Sequence, residues 1–222
     1  MKNLMITTLM VFVLFITAMA QKVTTLWPYI YPEFQQGTLY LSNKQEIKGV
    51  LNVHVYKSRL HFLENDLIKE AETSDIVLAI IGDDKYMVVD ERVMKVVGSK
   101  EKGFVALQIM GDFEQLTSQE SAYGGQSTTE SVNKLSSLVI GGINVTNHIS
   151  LRQDRENGIA LPLKYKYYIV TKGTVYDATR RGILSKLDKP QGKEFKEFLK
   201  NHEVKWTDAE SLLQIVDFFN KL

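Results

Sequence analysis

Between Gly37 and about Val170 apolar residues tend to recur at every second position, and the runs are broken roughly every dozen residues by Gly, Asn, Asp and Ser. A period of two places alternate side chains on opposite faces of an extended chain, so this stretch reads as a series of half-buried antiparallel strands. Thr38-Leu39-Tyr40-Leu41, Leu51 to Tyr56 and Leu60-His61-Phe62 form one predicted meander, with Leu51, Val53 and Val55 on one face. Ile76 to Ile81 ends at Gly82-Asp83-Asp84, and Lys85 to Val89 is its hairpin partner. Phe104 to Ile109 lies between Gly103 and Gly111, while Leu138-Val139-Ile140 and Ile143-Asn144-Val145 flank Gly141-Gly142, a pair suited to a tight primed turn. Asn157-Gly158 offers another turn before Ile159 to Leu163, and Lys164-Tyr165-Lys166-Tyr167-Tyr168 alternates as one strand, lysines on one face and tyrosines on the other. The expected fold class is mainly β (α+β): an antiparallel sheet system, whether a sandwich, a curved sheet or an incomplete barrel, with a C-terminal helical cap.

The period lengthens toward the C-terminus. Arg180 to Leu187 predicts a short helix stopped near Lys189-Pro190, and Gly192 to Asn201 a second, with Phe195, Phe198 and Leu199 on one side and Lys193/Glu197 as an i,i+4 pair. Thr207-Asp208-Ala209-Glu210 has the form of a capping box and opens a helix striped with Leu212, Ile215, Val216, Phe218 and Phe219. A terminal amphipathic helix of this kind covers the sheet of its own domain. The expected organisation is a β-rich body over residues 21–178 and a helical cap of the same domain over 179–222.

The N-terminus has the three parts of a secretory signal: Met1-Lys2, the apolar run Leu9 to Ile16, and Ala18-Met19-Ala20 before Gln21. Residues 1–20 are therefore expected to be a signal peptide cut after Ala20, which places the mature chain in the periplasm or outside the cell. The polar pair Thr7-Thr8 and the small exit residues argue against a retained membrane span. There are no cysteines, so neither a lipid anchor nor a disulfide is expected and a hydrophobic core must hold the fold. The formal net charge is +1 over 222 residues, which gives no general field to attract nucleic acid.

Motifs that carry chemistry are missing. There is no G-x-S-x-G, no H-E-x-x-H, no P-loop and no G-x-G-x-x-G, so no catalytic residue, metal ligand set or cofactor is expected. His54 and His61 lie on adjacent predicted strands and face each other if the ladder forms, the one place where a weak metal site is conceivable. Glu64, Asp66, Asp75, Asp83, Asp84, Asp90, Glu91 and Asp112 are scattered, and Asp83-Asp84 and Asp112 beside glycines read as turn chemistry. Thr117 to Asn133 is rich in Ser, Thr, Gly and Gln and reads as a long loop. Its aromatic Tyr123, followed by Gly124 and Gly125, is the candidate binding element.

The chain resembles a group of secreted β-rich proteins of Bacteroidetes-type bacteria, a family of unknown function. The resemblance is carried by Trp27-Pro28-Tyr29, Gly37 opening a strand, Leu51-Asn52-Val53, Ala122-Tyr123-Gly124, Lys166-Tyr167-Tyr168, Lys205-Trp206 and Ser211-Leu212-Leu213. It implies one β-rich unit outside the cytoplasm and brings no activity with it. The expected function is non-enzymatic binding of an envelope protein or glycan, through the sheet surface or the Tyr123 loop. The alternatives are a hydrolase of glycan or peptide working through paired carboxylates, and a carrier of a small apolar ligand between sheet and cap.

Overall fold

The computed structural model describes residues 24–25, 28–65, 67–112, 137–140, 143–146 and 161–222. In chain order the strands are β1 (Thr24–Thr25), β2 (Gln35–Leu41), β3 (Glu46–His54), β4 (Arg59–Glu64), β5 (Leu67–Glu70), β6 (Ile76–Ile81), β7 (Asp84–Val89), β8 (Arg92–Lys100), β9 (Gly103–Gly111), β10 (Ser137–Ile140), β11 (Ile143–Thr146), β12 (Leu161–Thr171) and β13 (Thr174–Asp177). Eleven of them form one antiparallel sheet in the order β1-β12-β9-β8-β7-β6-β2-β3-β4-β5, with β13 beside β12, while β10 and β11 pair as a separate hairpin. The chain lays down β2 to β5 as one meander, returns so that β6 pairs with the free side of β2, and builds a second meander outward through β9. Local contacts between successive hairpins thus generate nearly the whole sheet.

The turns explain where hairpins form. Two residues link β7 to β8 between the opposed Val89 and Arg92, and both Asp90 (φ 47°) and Glu91 (φ 61°) are left-handed, as a primed turn requires. β8 is a strand that alternation does not announce, because the register shifts between Val96 and Gly98 and the extra residue breaks the period of two. The segments expected as Ile159 to Leu163 and Lys164 to Tyr168 are one continuous strand, β12.

The sheet is open but not flat. The hairpin tip joining β3 to β4 reaches β8 and β9, although four strands separate β4 from β8 in the sheet. The β8–β9 ladder stops at the Lys95–Leu107 pair, and beyond it the tip takes up the freed donors: Val93 N–H donates to Ser58 O at 2.7 Å and Gly111 N–H to Val55 O at 3.2 Å. Buried side chains seal the junction, with Gln108 Nε2 donating to Ser58 Oγ at 3.0 Å and Tyr168 Oη to Gln108 Oε1 at 3.1 Å. The curl encloses a core of Leu39, Leu51, Val53, Leu60, Ala79, Ile81, Tyr86 and Val93, drawn from β2, β3, β4, β6, β7 and β8. The expected antiparallel sheet system thus forms as one open sheet, curled so that the β3–β4 hairpin tip meets β8 and β9.

Three helices cap the other half: α1 (Arg180–Leu184), α2 (Lys189–Asn201) and α3 (Ala209–Lys221). Pro190 does not stop a helix but sits in the first turn of α2, where its missing N–H has no partner to lose, and Asp188 caps the end by accepting from Gln191 N–H at 2.8 Å. Asp208, not Thr207, caps α3, accepting from Ser211 N–H at 2.7 Å. The expected Lys193/Glu197 pair is replaced by Lys200 on Glu197 at 2.7 Å. Leu212, Ile215, Val216 and Phe219 pack on Val105 and Ile169. Two glycines let α3 approach closely: a Cβ on Gly103 would stand 2.9 Å from Val216 Cγ1, and one on Gly98 3.0 Å from Leu213 Cδ1.

Candidate functional site

The segment Pro28 to Phe34 is held against the end of β3 by one buried amide. Asn52, fully buried, donates from Nδ2 to the carbonyls of Tyr31 (2.9 Å) and Glu33 (3.2 Å) and accepts at Oδ1 from the N–H groups of Tyr31 (3.2 Å) and Val53 (2.9 Å). Ile30 N–H to Val53 O and Val55 N–H to Pro28 O, both 2.9 Å, extend the attachment. These bonds bring two tyrosines onto the sheet, and a polar cluster forms around each.

Tyr29 joins the histidines. His54 and His61 lie diagonally across the β3–β4 ladder and their rings stack at 5.0 Å with a 19° tilt, so the strands do bring the expected pair together. Tyr29 Oη and His61 Nδ1 form a 2.9 Å hydrogen bond, the Tyr29 ring meets both imidazoles edge-on, and His61 Nε2 is 3.5 Å from Glu70 Oε2. Near-parallel imidazoles send their nitrogen lone pairs in parallel planes, whereas a metal needs them to converge at about 2.0–2.1 Å. Among the described residues no group of three His, Asp or Glu is placed to hold an ion.

Tyr31 joins β7. Its hydroxyl donates to Asp84 Oδ2 at 2.6 Å and lies 2.8 Å from the Tyr86 hydroxyl, while Lys95 Nζ pairs with Asp84 Oδ1 at 2.7 Å. Burial alone would raise the affinity of Asp84 for a proton, but the hydrogen bonds from Lys95 and Tyr31 and the charge of Lys95 outweigh it and hold the carboxyl below its ordinary range. Burial pushes both tyrosines well above their ordinary value. Asp84 is thus a fixed anion rather than an acid, and the tyrosines are fixed donors rather than nucleophiles.

The other carboxylates singled out in the sequence have structural partners or turn positions. Glu64 pairs with Lys69, Asp90 with Arg92 at 3.5 Å and Asp112 with Lys164 at 2.9 Å. Asp84, expected as turn chemistry, instead opens β7 and anchors the network just described. Asp83 and Glu91 are exposed turn residues, Asp75 is exposed in a 3-10 turn, and Asp66 lies outside the described residues. Tyr123, Gly124 and Gly125 also lie outside them.

A different surface stands out at the sheet edge. β5 ends the strand order, all four of its residues are exposed, and Leu67 and Ile68 are 62% and 54% accessible. The register sets Val50 opposite Leu63 and Leu63 opposite Ile68, so an apolar row runs across β3 and β4 and ends at an edge that no further strand covers among the described residues. Sequence reasoning missed it because Leu67-Ile68-Lys69-Glu70 does not alternate. The asparagine–aspartate turn signal at Asn65-Asp66 after the Leu60 to Phe62 strand was the clue that another strand follows. Among the described residues no helix is long and apolar enough to cross a membrane. No protein-family model, curated protein or solved structure matches the chain, so the functional reading rests on its own residues.

Proposed function

We propose that the chain is an exported, non-catalytic binding protein of the cell envelope that takes an extended segment of a partner protein as an additional strand along β5. The observation carrying this reading is the open β5 edge with Leu67 and Ile68 in solvent at the end of the Val50–Leu63–Ile68 row. An edge strand offers unpaired backbone donors and acceptors, and an added strand satisfies them while its side chains select partners. The row asks for an apolar residue opposite Ile68. Export is supported by the signal-like pattern of residues 1–20.

The geometry favours this over the two alternatives. A glycosidase needs one carboxylic acid protonated near neutral pH, and the network around Asp84 works in the opposite direction. A carrier needs room between sheet and cap, but that space is filled by Phe195, Ile215 and Phe219, with Tyr176 stacked on Phe219 at 4.6 Å. The test uses full-length mature chain immobilised and exposed to envelope extract, beside Ile68→Pro, which removes a backbone donor from the edge. The expected result is a protein retained by the native chain and lost with Ile68→Pro, while thermal unfolding of the two is similar. Equal retention by both would end the strand-addition reading.

A further inference from the structure

We propose that the exposed lysine row of α2 (Lys189, Lys193, Lys196 and Lys200) is a binding site for a linear acidic glycan. It lies on a different element from β5 and shares with the strand-addition reading only the envelope location. Spacings of four, three and four residues put the four lysines on one stripe of a helix, within about 60° of arc and over about 16 Å of its length. All four are exposed. The opposite side of α2 is committed to the core: Phe195 is buried, and it and Phe198 pack against Phe218 at 5.4 and 4.9 Å.

One local electrostatic rule is broken along this stripe. Lys189 and Lys193, Lys193 and Lys196, and Lys196 and Lys200 are like-charge neighbours at i+4, i+3 and i+4, which weakens a helix. Lys189 and Lys193 also sit near the positive end of the helix dipole, where the N-cap carboxylate of Asp188, bonded to Gln191 N–H at 2.8 Å, is the one acidic group. Only Lys200 is compensated, by Glu197; among the described residues Lys189, Lys193 and Lys196 make no ion pair. Residues 180–200 hold seven Lys and Arg against three Asp and Glu in a chain of net charge +1, so the row is a local concentration and not the by-product of a basic protein. A rule broken without a compensating contact marks a place where function sets the sequence. A linear polymer with regularly repeated carboxylates or sulfates supplies the missing countercharge along the whole row.

The same geometry disfavours two other polyanionic surfaces. A helix that docks on a membrane inserts apolar side chains beside its basic stripe, and those of α2 are already packed in the cap. Single-stranded nucleic acid is held by aromatic side chains that stack on bases, and Phe195 and Phe198 face inward.

The experiment compares the mature chain with the double variant Lys193→Gln/Lys196→Gln on polygalacturonate, oligo-dT and vesicles of phosphatidylcholine and phosphatidylglycerol, over a series of salt concentrations. The expected result is binding to polygalacturonate that weakens as salt rises and is at least tenfold weaker in the variant. Without glycan the variant should melt at a higher temperature, because two repelling charges are gone. Tighter binding to oligo-dT or to vesicles than to polygalacturonate would overturn the glycan assignment. Undiminished glycan binding by the variant, no binding by the native chain at low salt, or a lower melting temperature for the variant would each overturn the proposal. Ile68→Pro should leave glycan binding unchanged, so failure of this site and failure of the β5 reading are told apart.

Discussion

The Tyr31 hydroxyl donates to Asp84 Oδ2 at 2.6 Å across 53 residues of sequence, and Lys95 holds the other carboxylate oxygen at 2.7 Å. The link ties the segment before β2 to the start of β7, so the loop is fastened to both meanders of the sheet. Its charge makes it sensitive to acid.

Asp84 is ionised more readily in the folded chain than in the unfolded one. Its contribution to stability is therefore present above the unfolded value, about 3.9, and is lost as pH falls through the lower folded value. Asp84→Asn should cost about 1–2 kcal/mol near neutral pH, reduced by partial solvent exposure. The gap between native and variant should hold down to about pH 5 and close in stronger acid. Urea unfolding at a series of pH values measures it, and a gap that widens in acid would contradict the assignment.

Asn52→Ala should destabilise by about 2–4 kcal/mol, since it leaves the Tyr31 N–H and the Tyr31 and Glu33 carbonyls without their side-chain partner at a fully buried position. The loss is local before it is global. Limited proteolysis should cut between Pro28 and Phe34 earlier in the variant than in the native chain, and equal cleavage would show that Asn52 is not the anchor.

Two glycines predict opposite signs. A Cβ on Gly37 would stand 2.5 Å from Ile80 O and 2.7 Å from Leu51 Cδ1, at the strand where the two meanders meet. Gly37→Ala should therefore cost about 2–3 kcal/mol through forced displacement. Gly192 lies inside α2, where a Cβ would make ordinary contact with Leu184 Cδ2 at 3.6 Å. Gly192→Ala should stabilise by about 0.5–1 kcal/mol. Thermal unfolding of both variants checks the pair of signs.

The strands that were legible are those with uninterrupted patterns. Ile76 to Ile81 coincides with β6 because a continuous apolar run ends at a glycine turn. Arg92–Lys100 was not legible, since its bulge swaps the faces halfway along. Pro190 was misplaced because the same residue that ends one helix opens the next, and only the Asp188 cap distinguishes the two. For the site, the His54–His61 pairing followed from two adjacent strands. The Tyr31–Asp84 bond did not, because it joins residues 53 apart that share neither a turn nor a strand ladder.

The turn between β7 and β8 carries a correctable strain. Asp90 and Glu91 both hold positive φ, 47° and 61°, because a two-residue hairpin with native twist demands it. Aspartate tolerates the left-handed region through its short polar side chain, and Arg92 Nη2 lies 3.5 Å from its carboxylate. Glutamate has no such accommodation, is exposed, and among the described residues makes no ion pair, so its side chain contributes little there. Glu91→Gly removes the Cβ clash at the cost of greater freedom in the unfolded chain. The relief is the larger of the two, and the net gain should be about 0.5–1 kcal/mol, a rise of a few degrees at most in the melting temperature of a chain this size. Gly173, at φ 74° in the β12–β13 turn, provides the converse: Gly173→Ala should lower stability by about 1 kcal/mol. Differential scanning calorimetry of the two variants decides the matter, and a Glu91→Gly chain that melts below the native one would show that the turn is held by something other than its backbone.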